Sequence, residues 1–444
     1  MDFSLWTNPF ADLREKTYKP PPPPMIPIPD PFPLLSQNPP PEKSLLRAPR
    51  TSRPPPRRWR FEMAAGGPPP LFVGFTRNWP QLLQCVVSYI AAGWPAEDIY
   101  VVENTGVMFA NREGKLTLQN PFYLNHTQLA MLGVRVIITP TLLTFSQLQN
   151  FYLWTALERS HPYFFWTHQD LLVFSHENST SAPYNSLYTN AIRTLRDLTT
   201  TTPSSFSHSP KKIEPPPQKE EQKQKWAHHF FAYDHLTLVN RDAVLSVGGW
   251  DTQIPYYASD CDTYLRLMWA GFSQRESTIG LILDVGSVLA DVGALLRIKG
   301  IKASLLLPTP GIRPEDEEGQ DEKKDEDAKG EEEKIDENYV ESWETLVQLG
   351  MKMEEDKYVG GNAGRNMWQA MQRGGRGEPF YRDADGFEKG VKMWIDAGRA
   401  VFAEKWGHRG CGLISMGIKG EDAWRLERDW DEETEGFGWE GNGW

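Results

Sequence analysis

Short apolar runs of strand length alternate along this chain with segments that carry apolar residues at helical spacing. The first apolar run is Leu71–Phe75, and a segment with one apolar face follows it at 78–93. Three more strands are predicted at 99–102, 134–138 and 163–166, with a helix at 146–159 before the last of them. This alternation predicts an α/β domain whose mainly parallel sheet is flanked by helices.

The pattern continues beyond residue 225 with less regular spacing. A strand is predicted at 230–239, a short helix at 241–247 and a second helix at 260–270. The last helix begins with Asp260 and Asp262, two carboxylates in its first turn, where the helix dipole favours negative charge. These elements extend the predicted domain well past its first four strands.

Polar turns follow the first, second and fourth predicted strands. They are Thr76-Arg77-Asn78, Glu103-Asn104-Thr105 and Thr167-His168-Gln169-Asp170. Ligands of parallel α/β sheets bind outside the carboxyl ends of the strands, and all three turns fall there. The sequence therefore predicts a binding site formed by these turns, although ordinary turn hydrogen bonds would also account for Asn104-Thr105-Gly106.

Composition divides the chain into four parts. Residues 1–70 carry proline runs and few periodic apolar positions, which predicts a disordered arm. Residues 71–312 form the α/β domain, with a polar insertion at 199–225. Residues 313–337 alternate acidic residues with lysines and predict an internal acidic disordered linker. Residues 338–444 are predicted to be a C-terminal helical extension that completes the domain.

Charge, hydropathy and cysteine spacing restrict the classes of function. The net charge of −12 argues against a nucleic-acid partner. No apolar stretch reaches the length of a membrane-spanning helix and the N-terminus lacks the apolar core of a signal peptide, so neither is predicted. The spacing of Cys85, Cys261 and Cys411 indicates neither a zinc site nor a disulfide framework, and Cys85 is predicted to be a buried free thiol.

Four segments in order resemble family 2 glycosyltransferases and their relatives with the GT-A fold. The first two strands and their turns match the nucleotide-binding elements of that family, and 164–173 stands in the place of the strand that runs into an Asp-x-Asp metal motif. Gly248-Gly249-Trp250-Asp251 resembles the family's Gly-Gly-Phe-Asp stretch. The segment 257–267 resembles its acidic pair and the Asp-x-x-x-Arg helix that follows. The resemblance implies a GT-A-type mixed sheet.

The resemblance also implies a reaction, in which a sugar moves from a UDP- or GDP-sugar donor to a hydroxyl acceptor with inversion, while the sheet itself does not fix the stereochemistry and leaves retention open. It implies Mn²⁺ or Mg²⁺ at Asp170 and His168, since a divalent cation stabilises the departing diphosphate and Mn²⁺ accepts an imidazole ligand. It points to the Golgi or secretory pathway, while the chain itself shows no localisation signal. Two positions depart from the family pattern, because His168 and Ser259 replace its usual carboxylates.

Each candidate residue has a predicted role. Asp260 stands at the position of the catalytic base, which takes the proton of the acceptor hydroxyl. Asp262 is predicted to be a supporting contact or a helix cap, and Asp251 an acceptor contact or a turn residue. Lys405-Trp406-Gly407-His408 resembles a segment that closes some related domains. The predicted contacts of the nucleotide sugar are Thr76, Arg77, Asn78, Glu103, Asn104 and Gln169.

Two other classes of function remain open. The residues at His168 and Ser259 favour a catalytically silent GT-A-like protein that binds a nucleotide or a glycan. The proline-rich arm favours an interaction protein whose arm recruits partner domains with aromatic grooves. A ligand that binds only the folded protein raises its stability, so nucleoside diphosphates would separate these classes.

Overall fold

The computed structural model describes residues 67–118, 120–177, 184–199, 225–306, 337–358 and 384–430. The predicted arm, polar insertion and acidic linker lie almost entirely outside these ranges. The strands are β1 Leu71–Phe75, β2 Ile99–Glu103, β3 Arg135–Ile138, β4 Tyr163–Thr167, β5 Leu171–Phe174, β6 Trp226–Ala232, β7 Leu236–Asn240, β8 Ser273–Glu276 and β9 Leu281–Asp284. The helices are α1 Trp79–Ala91, α2 His126–Leu132, α3 Phe145–Glu158, α4 Leu187–Thr199, α5 Arg241–Ser246, α6 Ser259–Trp269, α7 Trp343–Tyr358 and α8 Ala384–Trp406.

Seven strands form the main sheet in the order β3-β2-β1-β4-β7-β6-β8. The first four of these are parallel to one another, β7 is antiparallel to both β4 and β6, and β8 is parallel to β6. β5 and β9 form a small antiparallel sheet of their own. The predicted fold class, a mixed and mainly parallel sheet flanked by helices, is confirmed, and it is consistent with the GT-A fold.

The central strands are buried on both faces because successive side chains point to opposite sides of the sheet. Leu71, Val73 and Phe75 pack on the α1 and α4 side, whereas Phe72 packs on the α3 side, where its ring stacks on Tyr152. The sheet is therefore the middle of three layers. The polar turns that follow the parallel strands lie beyond these packed faces, at the strand ends.

Helix caps define where α1 and α3 begin. Asn78 precedes α1 with φ 71°, and its side-chain oxygen accepts a hydrogen bond from the backbone N–H of Gln81, as the sequence predicts. α3 begins at Phe145, one residue before the predicted start at 146, and the backbone N–H of Thr144 donates to the side-chain oxygen of Gln147 at 3.0 Å.

The segment predicted as one strand at 230–239 is instead the hairpin of β6 and β7. Its turn occupies 233–235, where Asp234 adopts φ 57°, and β7 pairs with β4 as well as with β6. The apolar residues on both sides of the turn conceal it in the sequence. β8 was also missed, since its residues Ser273–Glu276 are all polar and give no strand pattern.

The C-terminal segments pack on the α/β core at two places. α7 covers β5 and β9 through an apolar cluster that includes Leu172, Leu283 and Met353. The end of α8 packs against α6, where Phe402 and Trp406 are buried. The proposed domain boundaries remain predictions.

A disulfide joins Cys261 in α6 to Cys411, 150 residues further along the chain. The cysteine spacing predicts no disulfide, and this prediction is wrong because two partners so far apart leave no recognisable spacing. Cys85 is a buried free thiol, as predicted. None of the helices in the described ranges combines the length and the hydropathy that a membrane crossing requires.

Candidate functional site

The three predicted polar turns meet at one edge of the sheet. Phe75, the last residue of β1, lies beside Glu103, the last residue of β2. The backbone N–H of Asn104 donates to the carbonyl of Phe75 at 2.7 Å. The side-chain amide of Gln169 donates to the carbonyl of Arg77 at 2.6 Å. The turns after β1, β2 and β4 are thus held together by direct hydrogen bonds.

The β6–β7 turn and the start of α6 lie at the same edge. The backbone N–H of His168 donates to the carbonyl of His235 at 3.3 Å, and the hydroxyl of Tyr264 donates to Asp234 Oδ1 at 3.0 Å. Burial raises the pKa of Tyr264, and the charges of Asp234 and Asp260 add to this effect. The half-buried Asp260 therefore lies close to the turn that contacts His168.

The loop before α6 reaches back to the turn after β1. Burial raises the pKa of the Tyr256 hydroxyl while the nearby charge of Arg77 opposes the shift. The loop is fixed on the first turn of α3, where the backbone N–H of Ser146 donates to the carbonyl of Pro255 at 3.1 Å and its hydroxyl donates to the carbonyl of Ile254. Arg77 and Tyr256 thus line one side of the edge.

A buried lysine from α7 lies between two carboxylates at this edge. Lys357 Nζ donates to Asp170 Oδ2 at 2.7 Å and also to Asp284 Oδ1. The hydroxyl of Tyr358 donates to the second oxygen of Asp284 at 2.6 Å, and Glu354 accepts from the backbone N–H of Asp284 at 2.9 Å. The side chains of Lys357 and Asp170 are 3% and 12% exposed.

Electrostatics stabilise the charged forms of this cluster. Burial by itself would raise the pKa of Asp170, but the Lys357 ammonium, the neighbouring His168 and hydrogen bonds outweigh it and hold the pKa below its usual value. Burial would likewise lower the pKa of Lys357, but the charges of Asp170 and Asp284 outweigh it and raise the pKa. The cluster is an ion triad with one cation and two carboxylates.

The divalent cation predicted at Asp170 and His168 does not fit this arrangement. A divalent cation at Asp170 would lie beside the Lys357 ammonium, which donates to Asp170 Oδ2 at 2.7 Å, and the two positive charges would repel each other. His168 Nδ1 is 4.0 Å from Asp170 Oδ1. Across the residues that the structure describes, no three His, Cys, Asp or Glu side chains are grouped as a metal site requires. The metal assignment stays a prediction on which no step below depends.

Two of the predicted nucleotide contacts already have partners within the chain. Glu103 is fully buried and accepts from Asn111 Nδ2 at 2.8 Å, with His126 Nε2 at 2.7 Å from its other oxygen. Asn104 clamps the backbone of Leu143, donating to its carbonyl at 2.8 Å and accepting from its N–H at 2.7 Å. Both side chains therefore hold loops together in the structure as it stands.

The other predicted nucleotide contacts differ in their accessibility. Thr76 is half-buried at the end of β1 and Arg77 is buried beside Tyr256. The side chain of Asn78 caps α1, and that of Gln169 bridges two turns. Asn78 and Gln169 thus shape the edge of the sheet, and Arg77 brings a positive charge to it.

A second lysine holds two of the three acidic candidates. Lys405 Nζ lies 2.7 Å from both Asp251 Oδ2 and Asp262 Oδ1. Asp262 is fully buried and also accepts from Arg266 Nε at 2.7 Å and from Trp406 Nε1 at 3.2 Å. Burial would raise the pKa of Asp251, but Lys405 lowers it below the usual value. Asp251 and Asp262 therefore hold the end of α8 on the core.

Sequence reasoning missed Lys357, Asp284 and the pairing of Lys405. Lys357 follows Asp170 by 187 residues, and no local pattern links the two. Asp284 interrupts an apolar stretch in the sequence and gives no other signal there. Lys405 belongs to the Lys-Trp-Gly segment, which did give a signal that this part of the chain closes the domain.

The fold and the edge of polar turns define an α/β protein of the kind that binds ligands at the carboxyl ends of its strands. No protein-family profile matches the sequence, and no curated protein matches it either. Among solved structures, the chain is similar to a mannosyltransferase, PcManGT from Pyrobaculum calidifontis in complex with GDP-Man and Mn²⁺, with 13% identity and a TM-score of 0.28. The likeness covers 47% of this chain and spans about half, 54%, of that protein.

Proposed function

We propose that this protein is a glycosyltransferase that moves a sugar from a nucleoside-diphosphate donor to a hydroxyl acceptor. One observation carries the proposal, which is that the turns after β1 and β4, the β6–β7 turn and the start of α6 share one edge of the sheet. The bonds from Gln169 to Arg77 and from His168 to His235 tie these segments together. An edge of this kind is where open α/β sheets bind nucleotides.

Asp260 is the best candidate for the base among the three acidic residues. Asp262 is fully buried and paired with Arg266, so an acceptor cannot reach it, and the charge of Lys405 outweighs burial and lowers the pKa of Asp251, which makes Asp251 a weaker base. Asp260 lies in the first turn of α6 and is half-buried, so an acceptor hydroxyl can approach its carboxylate. A carboxylate in that position can remove a proton in the transition state.

The reaction we propose is a single displacement with inversion at the anomeric carbon. The acceptor oxygen forms a bond to that carbon while the bond from the carbon to the diphosphate oxygen breaks. The acceptor proton passes to Asp260, and the electron pair leaves with the diphosphate. Arg77 supplies a fixed positive charge at the turn after β1, which favours a phosphate group there.

A catalytically silent nucleotide- or glycan-binding protein is the second candidate. The observation that favours it is that Glu103, Asp170, Asp251 and Asp262 all have partners in the chain itself. Such a protein would bind the donor without releasing nucleoside diphosphate. The third class, an interaction protein that uses the proline-rich arm, rests on residues outside the described ranges.

The test begins with the stability of the full chain in UDP and GDP, followed by the release of nucleoside diphosphate from UDP- and GDP-sugars. We expect a higher melting temperature with one of the nucleotides. Asp260→Asn should reduce transfer about 10²–10⁴-fold and leave nucleotide binding intact.

Asp242→Asn is the matched control for this substitution. Asp242 also lies in the first turn of a helix, but α5 follows β7 at the opposite edge of the sheet, where Asn240 pairs with Tyr163. Transfer by Asp260→Asn at the wild-type rate would refute the base assignment. Binding of a nucleotide without turnover by the wild type would favour the silent protein.

A further inference from the structure

Lys357 is held by close packing, both along its own side chain and between its helix and the small sheet. The aliphatic stem of the lysine lies against Gly286, where an added Cβ would be 3.4 Å from Lys357 Cγ. On α7, Gly350 permits a close approach to the small sheet, since an added Cβ would lie 2.9 Å from a methyl carbon of Leu283. Close packing of this kind fixes the position of a side chain. Lys357 is therefore part of the packed structure.

The ammonium group has the surroundings of a bound cation. It is enclosed by oxygen atoms of Asp170 and Asp284, and it sits in the last turn of α7, where the helix dipole favours positive charge. Oxygen-rich carboxylate sites of this type are also those that hard divalent cations prefer. A lysine ammonium and a divalent metal ion would compete for the same oxygens.

We propose that Lys357 Nζ is the resident cation of this site and takes the place of a divalent metal between Asp170 and Asp284. The site then binds a nucleoside diphosphate without added metal, a consequence that rests on the proposed function. The proposal that the lysine excludes a metal ion does not depend on the proposed function. Asp170 is a positioning residue here, because it holds the lysine.

The first experiment measures Mn²⁺ binding by the full chain after removal of metals, from the electron paramagnetic resonance signal of free Mn²⁺. We expect the wild type to bind no Mn²⁺ at millimolar concentration. Lys357→Met keeps the unbranched side chain, one atom shorter, and removes its charge, so it should gain one Mn²⁺ site. The double variant Lys357→Met/Asp284→Asn should lose that site again.

Lys352→Met is the matched control, since Lys352 is an exposed lysine on the same helix. It should bind no Mn²⁺, like the wild type. Stoichiometric Mn²⁺ binding by the wild type would overturn the proposal. A folded Lys357→Met protein that gains no site would overturn it too, and its circular dichroism spectrum shows whether it is folded.

The second experiment tests the proposal with the wild type alone, so it does not require Lys357→Met to fold. The wild type is melted with UDP or GDP, once in EDTA and once in Mn²⁺. Equal stabilisation in the two conditions supports the proposal, and stabilisation that requires Mn²⁺ overturns it. If neither nucleotide stabilises the protein, the proposed function fails, and Mn²⁺ binding by the wild type and by Lys357→Met still decides the role of the lysine.

Discussion

Two lysines near the ends of long C-terminal helices each bridge a pair of aspartates in the α/β core. Lys357 of α7 joins Asp170 to Asp284, and Lys405 of α8 joins Asp251 to Asp262. In both cases the helix is tied to the core through a buried ammonium group. The local chemistry of the two clusters is almost the same.

The clusters differ in what else their carboxylates contact. Asp262 is fully buried and also accepts from Arg266 and Trp406, so its hydrogen-bonding capacity is taken up by the chain. Among the described residues, Asp170 has no arginine or tryptophan partner of this kind, and His168 stands 4.0 Å from it at the edge of the polar turns. The Lys405 cluster thus holds α8 on the core. The Lys357 cluster lies beside the polar turns at the end of the parallel strands.

The largest expected effect is the loss of stability when either lysine is replaced, and we expect this loss to differ between the two. Lys357→Met leaves two neighbouring carboxylates without a cation, and we expect it to lower the free energy of unfolding by about 3–5 kcal/mol in EDTA. Lys405→Met should cost less, about 1–3 kcal/mol, because Arg266 still pairs with Asp262. Urea unfolding of both variants measures the difference.

Addition of Mn²⁺ sharpens this comparison. It should restore part of the stability of Lys357→Met, because a metal that binds only the folded state stabilises it. It should leave Lys405→Met unchanged. Equal losses in EDTA, with no response of either variant to Mn²⁺, would show that both clusters are structural clamps.

The disulfide adds a second tether to the Lys405 region only. Cys261 lies in α6, one residue before Asp262, and Cys411 follows the end of α8. A disulfide that closes so long a loop typically stabilises a protein by about 2–4 kcal/mol, so Cys261→Ala/Cys411→Ala should lower the melting temperature. Dithiothreitol should lower it in the wild type and have no effect on the double variant.

The consequence for the two clusters is also testable. Mn²⁺ binding by Lys357→Met should be the same with the disulfide intact or removed, since α7 packs on β5 and β9 instead of α6. Loss of the Mn²⁺ site upon reduction of the disulfide would mean that the Lys357 and Lys405 regions are coupled.

The sequence predicted the half of the fold that follows local periodicity. The runs at β1, β2 and β4 with the helices between them gave the parallel part of the sheet and its polar turns. The β6–β7 hairpin was missed because apolar residues on both sides of its turn make the segment look like one strand. The polar strand β8 gave no signal at all.

The sequence predicted where the site lies in the fold. It did not predict which side chains contact one another there. The position of Asp170 and Gln169 after a buried strand was enough to bring them to the edge. Nothing in the periodicity of α7 or α8 specifies where those helices dock, so Lys357 and Lys405 had no assigned partners. Ion pairs between residues 73 or more positions apart depend on tertiary packing, which local patterns do not encode.

The smallest expected effect is the loss of stability as the pH falls. It tests whether the two lysine clusters or a buried histidine respond first to acid. Burial lowers the pKa of His228 from 6.5 to about 3, and its ring packs against Phe230 and Tyr264. Between these pH values the unfolded chain takes up a proton that the folded chain does not, so stability falls as the pH falls, by about 2 kcal/mol between pH 6.5 and pH 5. The lowered pKa values of Asp170 and Asp251 give stability that is lost only below about pH 3.8. His228→Phe should therefore reduce, without abolishing, the pH dependence of urea unfolding above pH 5, because burial also lowers the pKa of His161 and His229 to about 4. An unchanged slope would assign the acid sensitivity to groups other than His228.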